Sequence, residues 1–329
     1  MKRSHTFLCL LLLCSVAAVA SPFWGMHAIS PASIGIVGHP DAEVFWRLRL
    51  PRTLAAFLTG AGLSISGMVF QALLRNPLAT PFTLGVSSGA AFGASVYFRF
   101  GALLPFFGSA GGLGSALCGG FLSMLLVYLL TRARGGFSTL HMLLAGVIIN
   151  FFFSSLVMFT QYLSETQDSL RIMHWLMGSL AGLEVFRIAD LAFVVIAGAL
   201  IIRHFSMEID LLAAGEELAA SRGVSTGRAK IALFATASII VGTIVSLTGP
   251  IGFIGMMIPH ICRLWLGWNH RTLLSAAFFL GGCFLVICDL VSRSLLPPAE
   301  VPIGIITALI GGPFFLWVLF KNCKNNDIF

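Results

Sequence analysis

Ten apolar stretches, each close to twenty residues long and separated by short polar segments, most constrain what this chain can fold into. A helix crosses the hydrocarbon core of a bilayer with about 20 apolar residues. Such segments are helical because backbone amides that lack a partner are costly in lipid. We therefore predict an all-α, polytopic membrane protein with about ten transmembrane helices, at approximately 7–25, 53–74, 81–98, 113–131, 140–160, 187–203, 230–248, 250–267, 273–293 and 303–321.

Composition excludes several other classes of protein. Of the 329 residues, 57% are hydrophobic and only 10% are Asp, Glu, Lys or Arg, whereas charged residues make up about 25% of a soluble domain. This rules out a water-soluble globular enzyme, a disordered chain and a nucleic-acid-binding protein, which needs many more cations on one face. No polar segment is long enough to fold alone, so we expect residues 1–329 to form one transmembrane domain in contact with membrane lipid.

The distribution of positive charge predicts the orientation of the chain. Lys and Arg collect on the cytoplasmic side of membrane proteins, and 13 of the 20 lie in one alternating set of loops that includes both termini. We therefore expect both termini to be cytoplasmic. The first span could instead be a cleaved signal peptide, because Ala18, Val19 and Ala20 precede Ser21. Cleavage would leave nine spans with unchanged orientations.

Sequence patterns give no sign of an enzyme. The chain has no Walker A motif and no HExxH motif, so ATP hydrolysis would have to come from a separate subunit. We expect no cofactor and no metal site, because the seven cysteines lack CxxC spacing and His260 has no second ligand at metal-binding spacing. An ion-gradient-driven secondary transporter is the alternative, although Asp190 and Asp289 are poor material for an intramembrane carboxylate relay. Asp289 and Arg293, at i and i+4, are expected to form an ion pair.

Four blocks of sequence occur in order between residues 49 and 317. The first runs from RLPRT at 49–53 to QALLRNPLATP at 71–81, and the second is LGVSSGA at 84–90. The third is GPIGFIGMMIPHICR at 249–263, and the fourth begins with EVPIGIITALIGG at 300–312. Together they resemble the FecCD/BtuC family, the permease subunits of bacterial type II ABC importers for iron–siderophores, haem and cobalamin. The resemblance implies the ten-helix permease fold of that family.

The resemblance also implies three sets of functional residues. Family arginines at the periplasmic face pair with glutamates of the substrate-binding protein, and the matching positions here are Arg49, Arg52 and Arg293. Within the long cytoplasmic segment at about 204–230, the part that looks like the family's ATPase-docking coupling helix contains Gly215, Glu216, Glu217 and Gly223. The positions that match the cytoplasmic gate are Asn76, Leu78, Ser138 and Thr139. As plain structure, the arginines would snorkel to lipid headgroups or pair internally, and the gate residues would cap turns. The coupling segment would be a solvated helix at the membrane interface.

The partners follow from the same resemblance. We expect a homodimer, or a heterodimer with a paralogous permease, bound to two ATP-binding cassette ATPase subunits. A periplasmic or lipid-anchored substrate-binding protein would deliver the cargo, an iron–siderophore or a related chelate such as haem or cobalamin. The expected location is the bacterial inner membrane.

A local pattern predicts one further feature of the coupling segment. Gly223 is expected to end a short amphipathic helix, since glycine is a natural helix stop.

Overall fold

The computed structural model describes residues 11–12, 14–25, 29–36, 39–101, 111–133, 139–296 and 299–325. This part of the chain is α-helical, as predicted, and a π-helical turn, Phe45–Arg49, joins α1 to α2. A short apolar helix, Cys14–Phe23, precedes them. The 13 α-helices are α1 Pro40–Val44, α2 Leu50–Leu73, α3 Val86–Phe100, α4 Gly111–Ala133, α5 Thr139–Tyr162, α6 Thr166–Leu176, α7 Val185–His204, α8 Ser206–Ala214, α9 Glu216–Ser221, α10 Thr226–Thr248, α11 Ile254–Leu266, α12 His270–Ser294 and α13 Ile303–Asn325.

Six helical stretches in the described residues are long and apolar enough to span a membrane. Helices α3 and α11 also lie where spans were predicted, but they have only 15 and 13 residues, or roughly 20 Å of helix. From residue 53 onward each predicted span overlaps a helix of the structure, whereas residues 7–10 and 13 of the first predicted span lie outside the described residues. The count of ten transmembrane helices stays a prediction. The six stretches are Pro40–Leu73, Gly111–Ala133, Thr139–Tyr162, Val185–His204, Thr226–Thr248 and His270–Ser294.

Helix α2 is the centre of the fold. Helices α7, α10, α11 and α12 pack around it, and all of its residues from 59 to 73 are buried. Two glycines allow this close approach: a Cβ added at Gly60 would overlap the backbone of Gly281, and one at Gly67 would overlap that of Gly255. Small residues at helix crossings are common in membrane proteins. The packing fixes both ends of α2 and the polar residues that they carry.

The glycine stripe Gly85, Gly89 and Gly93 faces α4. A Cβ at Gly89 would overlap the backbone of Gly119, and one at Gly93 would overlap that of Ser115. The stripe therefore serves close packing between α3 and α4.

Residues 85–89 also match the GxSxG pattern of serine hydrolases. In those enzymes the serine lies on a sharp turn between a strand and a helix. Here a 3-10 turn, Phe82–Leu84, precedes α3 in place of a strand. The buried Ser87 hydroxyl has no hydrogen-bond partner among the described residues, so no base contacts it. The match is therefore part of the helix packing and has no hydrolase geometry.

Candidate functional site

A cleft lies at the N-terminal end of α2. Its volume is about 460 Å³, and it opens between the π-helical turn, α2, the segment at 180–183 and the end of α12. We call it the Arg52 cleft. The three arginines predicted from the sequence motifs all line it, together with one further arginine and one acid. Its charged lining residues are Arg47, Arg49, Arg52, Arg293 and Glu300.

Arg52 binds two acids at once. Its Nε donates to Asp289 Oδ1 at 2.9 Å, and its Nη1 donates to the two carboxylate oxygens of Glu300 at 3.0 and 2.9 Å. Asp289 has no exposed surface, and a buried carboxylate is tolerated only when it is paired. Arg52 is therefore needed inside the fold, and only 16% of its side chain is exposed.

Arg293 is also engaged within the chain. Its Nη2 donates to the carbonyl oxygen of Ser21 at 3.0 Å and to Ser21 Oγ at 2.6 Å. Its Nε lies 3.5 Å from Asp289 Oδ2, which confirms the ion pair predicted from the i, i+4 spacing. That spacing did not reveal that Arg52 is the nearer partner of Asp289. Arg293 is only 6% exposed.

Arg49 and Arg47 are the more accessible arginines of the cleft. Arg49 is half-buried, and its Nη1 donates to the carbonyl oxygen of Pro22 at 3.3 Å. Arg47 is exposed, and no ion pair or hydrogen bond of its side chain is found among the described residues. Its neighbours Trp46 and Leu48 on the π-helical turn are exposed as well. Turns of this kind are frequent at functional sites, but the sequence motif did not single out Arg47.

A second cluster lies beyond the C-terminal end of α2. Glu216 Oε1 is 2.5 Å from Lys230 Nζ and 3.6 Å from Arg75 Nη2, and it accepts a hydrogen bond from Thr139 Oγ1 at 3.4 Å. Lys230 is only 5% exposed. We call these four residues the Glu216 junction. Arg52 lies in the first turn of α2 and Arg75 lies two residues beyond its end, so roughly 35 Å along the helix separates the junction from the cleft.

The predicted gate residues lie beside this junction. Asn76 Oδ1 accepts a hydrogen bond from the backbone N–H of Leu78 at 2.9 Å, so Asn76 closes a turn, as its plain structural interpretation predicts. Arg75, which precedes it, has a φ of 44°, a strained value for a residue other than glycine. Thr139 is the first residue of α5, and Ser138 lies outside the described residues. A gating role for these residues stays a prediction.

The predicted coupling segment forms two short helices. Gly215, with a φ of 149°, separates α8 from α9, and α9 begins at Glu216. The two adjacent acids then face different surroundings, because successive helical residues are rotated by about 100°. Glu216 contacts Lys230, whereas Glu217 is exposed and has no ion pair among the described residues.

Helix α9 ends at the predicted stop. Gly223 has a φ of 83°, and its N–H donates to the carbonyl oxygen of Ala220 at 3.0 Å. The N–H of Val224 donates to the carbonyl oxygen of Ala219 at 3.0 Å. This pair of hydrogen bonds is a Schellman motif, in which glycine is the preferred residue at the left-handed position. The prediction of a helix stop at Gly223 is confirmed, and its role in coupling stays a prediction.

Metal-ligating side chains are dispersed in the part of the chain that the structure describes. No group of three or more His, Cys, Asp or Glu residues there could hold a metal ion. His260 packs against the rings of Phe314 and Phe315, with centroid distances of 6.2 and 6.4 Å. Its ring therefore has aromatic neighbours.

Comparison with known proteins agrees with the fold and with the motifs. The sequence matches the FecCD transport family over residues 7–321. The chain belongs to this family. It is 40% identical over 317 residues to the vitamin B12 import system permease protein BtuC of Escherichia coli O17:K52:H18 (strain UMN026 / ExPEC), with 95% of this chain and 94% of BtuC covered. It is 38% identical over 311 residues to an uncharacterised ABC transporter permease protein, YvrB, of Bacillus subtilis (strain 168), with 93% and 86% covered.

A solved structure extends the likeness to three dimensions. It is an inward-facing conformation of an ABC transporter assigned to the metal-chelate type, with a TM-score of 0.87 and 34% identity over 96% of this chain and 99% of the other. The FecCD-family chain is therefore an integral membrane protein and the permease component of an ABC importer of the FecCD/BtuC type. Its relatives are permease subunits, which are not themselves enzymes.

Some residues of the Arg52 cleft and of the Glu216 junction are not indicated by the FecCD motifs or by other patterns in the sequence. Glu300 opens the fourth sequence block, but the block does not indicate its partner. Ser21 follows a signal-peptide-like boundary, a pattern that does not indicate an arginine partner. Arg75 and Lys230 belong to the cation-rich set of loops, and their positions there do not indicate a shared acid. A signal for Lys230 was present, because it begins the apolar stretch 230–248 and a cation at that position needs an acidic partner.

Proposed function

We propose that this chain is the membrane pathway of an ATP-driven importer that moves an iron–siderophore, or a related chelate, from the periplasm to the cytoplasm. The observation that carries the proposal is an arginine-rich cleft at one end of α2 and, at the other end, the Glu216 junction, which includes the first residue of α9 in the predicted coupling segment. A permease of this class needs one surface for a substrate-binding protein and another for an ATPase. Iron–siderophores are the commonest cargo of the family. Haem and cobalamin are the alternatives, and the BtuC relative is named for vitamin B12 import.

We assign the Arg52 cleft to the periplasmic side. The cytoplasmic enrichment of Lys and Arg supports this, since the cleft arginines belong to the minority on the other side and both termini fall with the majority. Arg49, Arg52 and Arg293 stay the proposed docking set for acidic residues of a periplasmic or lipid-anchored binding protein, because guanidinium forms bidentate pairs with carboxylates. Arg49 is the accessible member, whereas Arg52 and Arg293 would support the surface through their pairs with Asp289. The exposed Arg47 extends this surface, and the protein is proposed to lie in the inner membrane.

We assign the coupling segment to the cytoplasmic side, where Gly215, Glu216, Glu217 and Gly223 would present α9 to an ATP-binding cassette ATPase. Such ATPases work as facing pairs, so two copies of this permease, or this chain and a paralogue, would bind two ATPase subunits. Movement of α9 would open and close the pathway at the proposed gate. The gate residues are Asn76 and Leu78 in the turn after α2, Thr139 at the start of α5, and Ser138, which lies outside the described residues.

Transport in reconstituted vesicles tests the proposal. Uptake of labelled ferric siderophore, haemin or cobalamin should require this chain, its ATPase, the binding protein and ATP, and the preferred cargo identifies the substrate. An ATPase with its Walker A lysine replaced is the matched control and should give no uptake. Uptake driven by a proton gradient with this chain alone would instead support the secondary-transporter alternative. Purification with the ATPase should give a 2:2 complex, and an active 1:1 complex would contradict the proposed assembly.

A further inference from the structure

We propose that Glu216 is a positioning residue that links the coupling segment to the turn after α2, and that it does not act as a contact to the ATPase. The inference rests on the proposed function, which assigns α9 to ATPase docking and the turn at Asn76 to the gate. Glu216 would transmit movement of α9 to that turn. Glu217, next to it, would contact the partner subunit.

The contacts of one oxygen atom carry the inference. Glu216 Oε1 is contacted from three other elements of the fold: Lys230 of α10 at 2.5 Å, Thr139 of α5 at 3.4 Å, and Arg75 of the turn after α2 at 3.6 Å. Two of these elements, the turn after α2 and the start of α5, carry the proposed gate. A displacement of Glu216 therefore changes contacts to both at the same time.

The burial of Lys230 indicates which way Oε1 of Glu216 faces, while 36% of the Glu216 side chain is exposed. Its partner Lys230 is almost fully buried, and a buried ammonium group needs an ion-pair partner held in place. An oxygen committed to Lys230 is poorly placed to bind a separate subunit. Glu217 is exposed instead, and no ion pair of its side chain is found in the described part of the chain. The adjacent acids are thus divided between an internal and an external role.

The backbone at Arg75 connects this ion pair to the gate turn. Arg75 has a φ of 44°, a conformation that non-glycine residues adopt at a cost and that surrounding contacts must maintain. The side-chain Oδ1 of the next residue, Asn76, accepts a hydrogen bond from the backbone N–H of Leu78, with an N···O distance of 2.9 Å. The contact from Arg75 to Glu216 is therefore one residue away from the hydrogen bond that shapes the turn. Loss of that contact would release the turn from α9.

The ratio of substrate transported to ATP hydrolysed tests this role. In the complete transporter, Glu216→Gln should still assemble with the ATPase and hydrolyse ATP, while the ratio falls by about tenfold, within the usual range of coupling between sites. Glu165→Gln is the matched control, because Glu165 is exposed and has no ion pair among the described residues. Glu217→Lys should instead weaken assembly with the ATPase.

A second variant guards against misfolding. Glu216→Gln removes the carboxylate that contacts Lys230, so the double variant Glu216→Gln with Lys230→Met removes both charges of this ion pair and should keep the wild-type melting temperature. It should show the same loss of coupling. A wild-type ratio in the double variant, or loss of ATPase assembly in Glu216→Gln, would overturn the inference while the proposed function stands. Failure of the wild-type chain to support ATP-dependent uptake would overturn the proposed function and this inference with it.

Discussion

The Arg52 cleft and the Glu216 junction lie at opposite ends of α2 and both bury charge, but only the cleft buries charges of both signs. In the cleft an acid, Asp289, is buried together with Arg293, and Arg52 also reaches it. In the junction the buried group is a base, Lys230, and the acid that reaches it is Glu216. Each end of the helix therefore combines a buried ion pair with more accessible charges.

The two clusters differ in whether the group that would contact or move with a partner also belongs to the buried ion pair. In the cleft, an acidic partner could bind the accessible Arg47 and Arg49 without disturbing the pair between Arg52 and Asp289. In the junction, Glu216 itself is the shared group, so it cannot move without changing several contacts. A surface that binds a separate protein can thus be independent of the core, whereas a group that transmits movement has to be part of it.

Asp289→Ala should have the largest effect on stability. It would leave the buried Arg293 without its carboxylate and would remove one of the two acids held by Arg52. Breaking a buried ion pair costs about 3–5 kcal/mol, so the detergent-solubilised protein should melt at a clearly lower temperature. Asp190→Ala, at an exposed position of α7, is the control and should melt normally. A normal melting temperature for Asp289→Ala would show that the cleft does not depend on its buried acid.

The double variant Arg47→Glu with Arg49→Glu should affect binding more than stability. It reverses the accessible charges of the cleft and leaves the pair between Arg52 and Asp289 intact. Like charges across an interface cost several kcal/mol, so affinity for the binding protein should fall about a hundredfold at low salt. Arg171→Glu, at an exposed position outside the cleft lining, controls for the change in net charge. Unchanged affinity in a titration would show that these arginines only anchor the helix at the membrane surface.

The helices were predictable because apolar length is a local property of the sequence. The stretches 113–131, 140–160 and 230–248 each lie within a helix of the structure or differ from it at the ends by a few residues. The extension from Pro40 through the π-helical turn was missed, since that part carries Arg47, Arg49 and Arg52 and has no apolar pattern. The short length of α11 was missed for the opposite reason, because its apolar stretch continues into the irregular segment before Ile254.

The functional clusters were only partly predictable. The helix stop at Gly223 could be predicted from the sequence, because a left-handed glycine after a short helix is determined by neighbouring residues. The gathering of three arginines was expected only through family motifs. The pairing of Arg52 with Asp289 joins residues 237 positions apart, and the contact of Glu216 with Arg75 likewise depends on how separate helices pack. The spacing of residues along the sequence does not predict such contacts between separate helices.

Glu300→Gln should have the smallest effect on stability, and it tests the difference between the Arg52 cleft and the Glu216 junction most directly. Glu300 is 42% exposed and binds Arg52 from the solvent side, and exposed ion pairs contribute less than about 1 kcal/mol. The melting temperature should therefore change little, because Arg52 keeps Asp289. The cleft gains one net positive charge, so the association rate with an acidic binding protein should rise severalfold at low salt, and the gain should vanish at high salt.

The equivalent acid-to-amide change at Glu216 should instead leave binding of the ATPase intact and reduce coupling. Stopped-flow association of the labelled binding protein, measured at two salt concentrations, gives the result for Glu300→Gln. A slower association would mean that Glu300 orients Arg52 for docking. The acid at that end would then be a shared group, as Glu216 is in the junction, and the two ends of α2 would work in the same way.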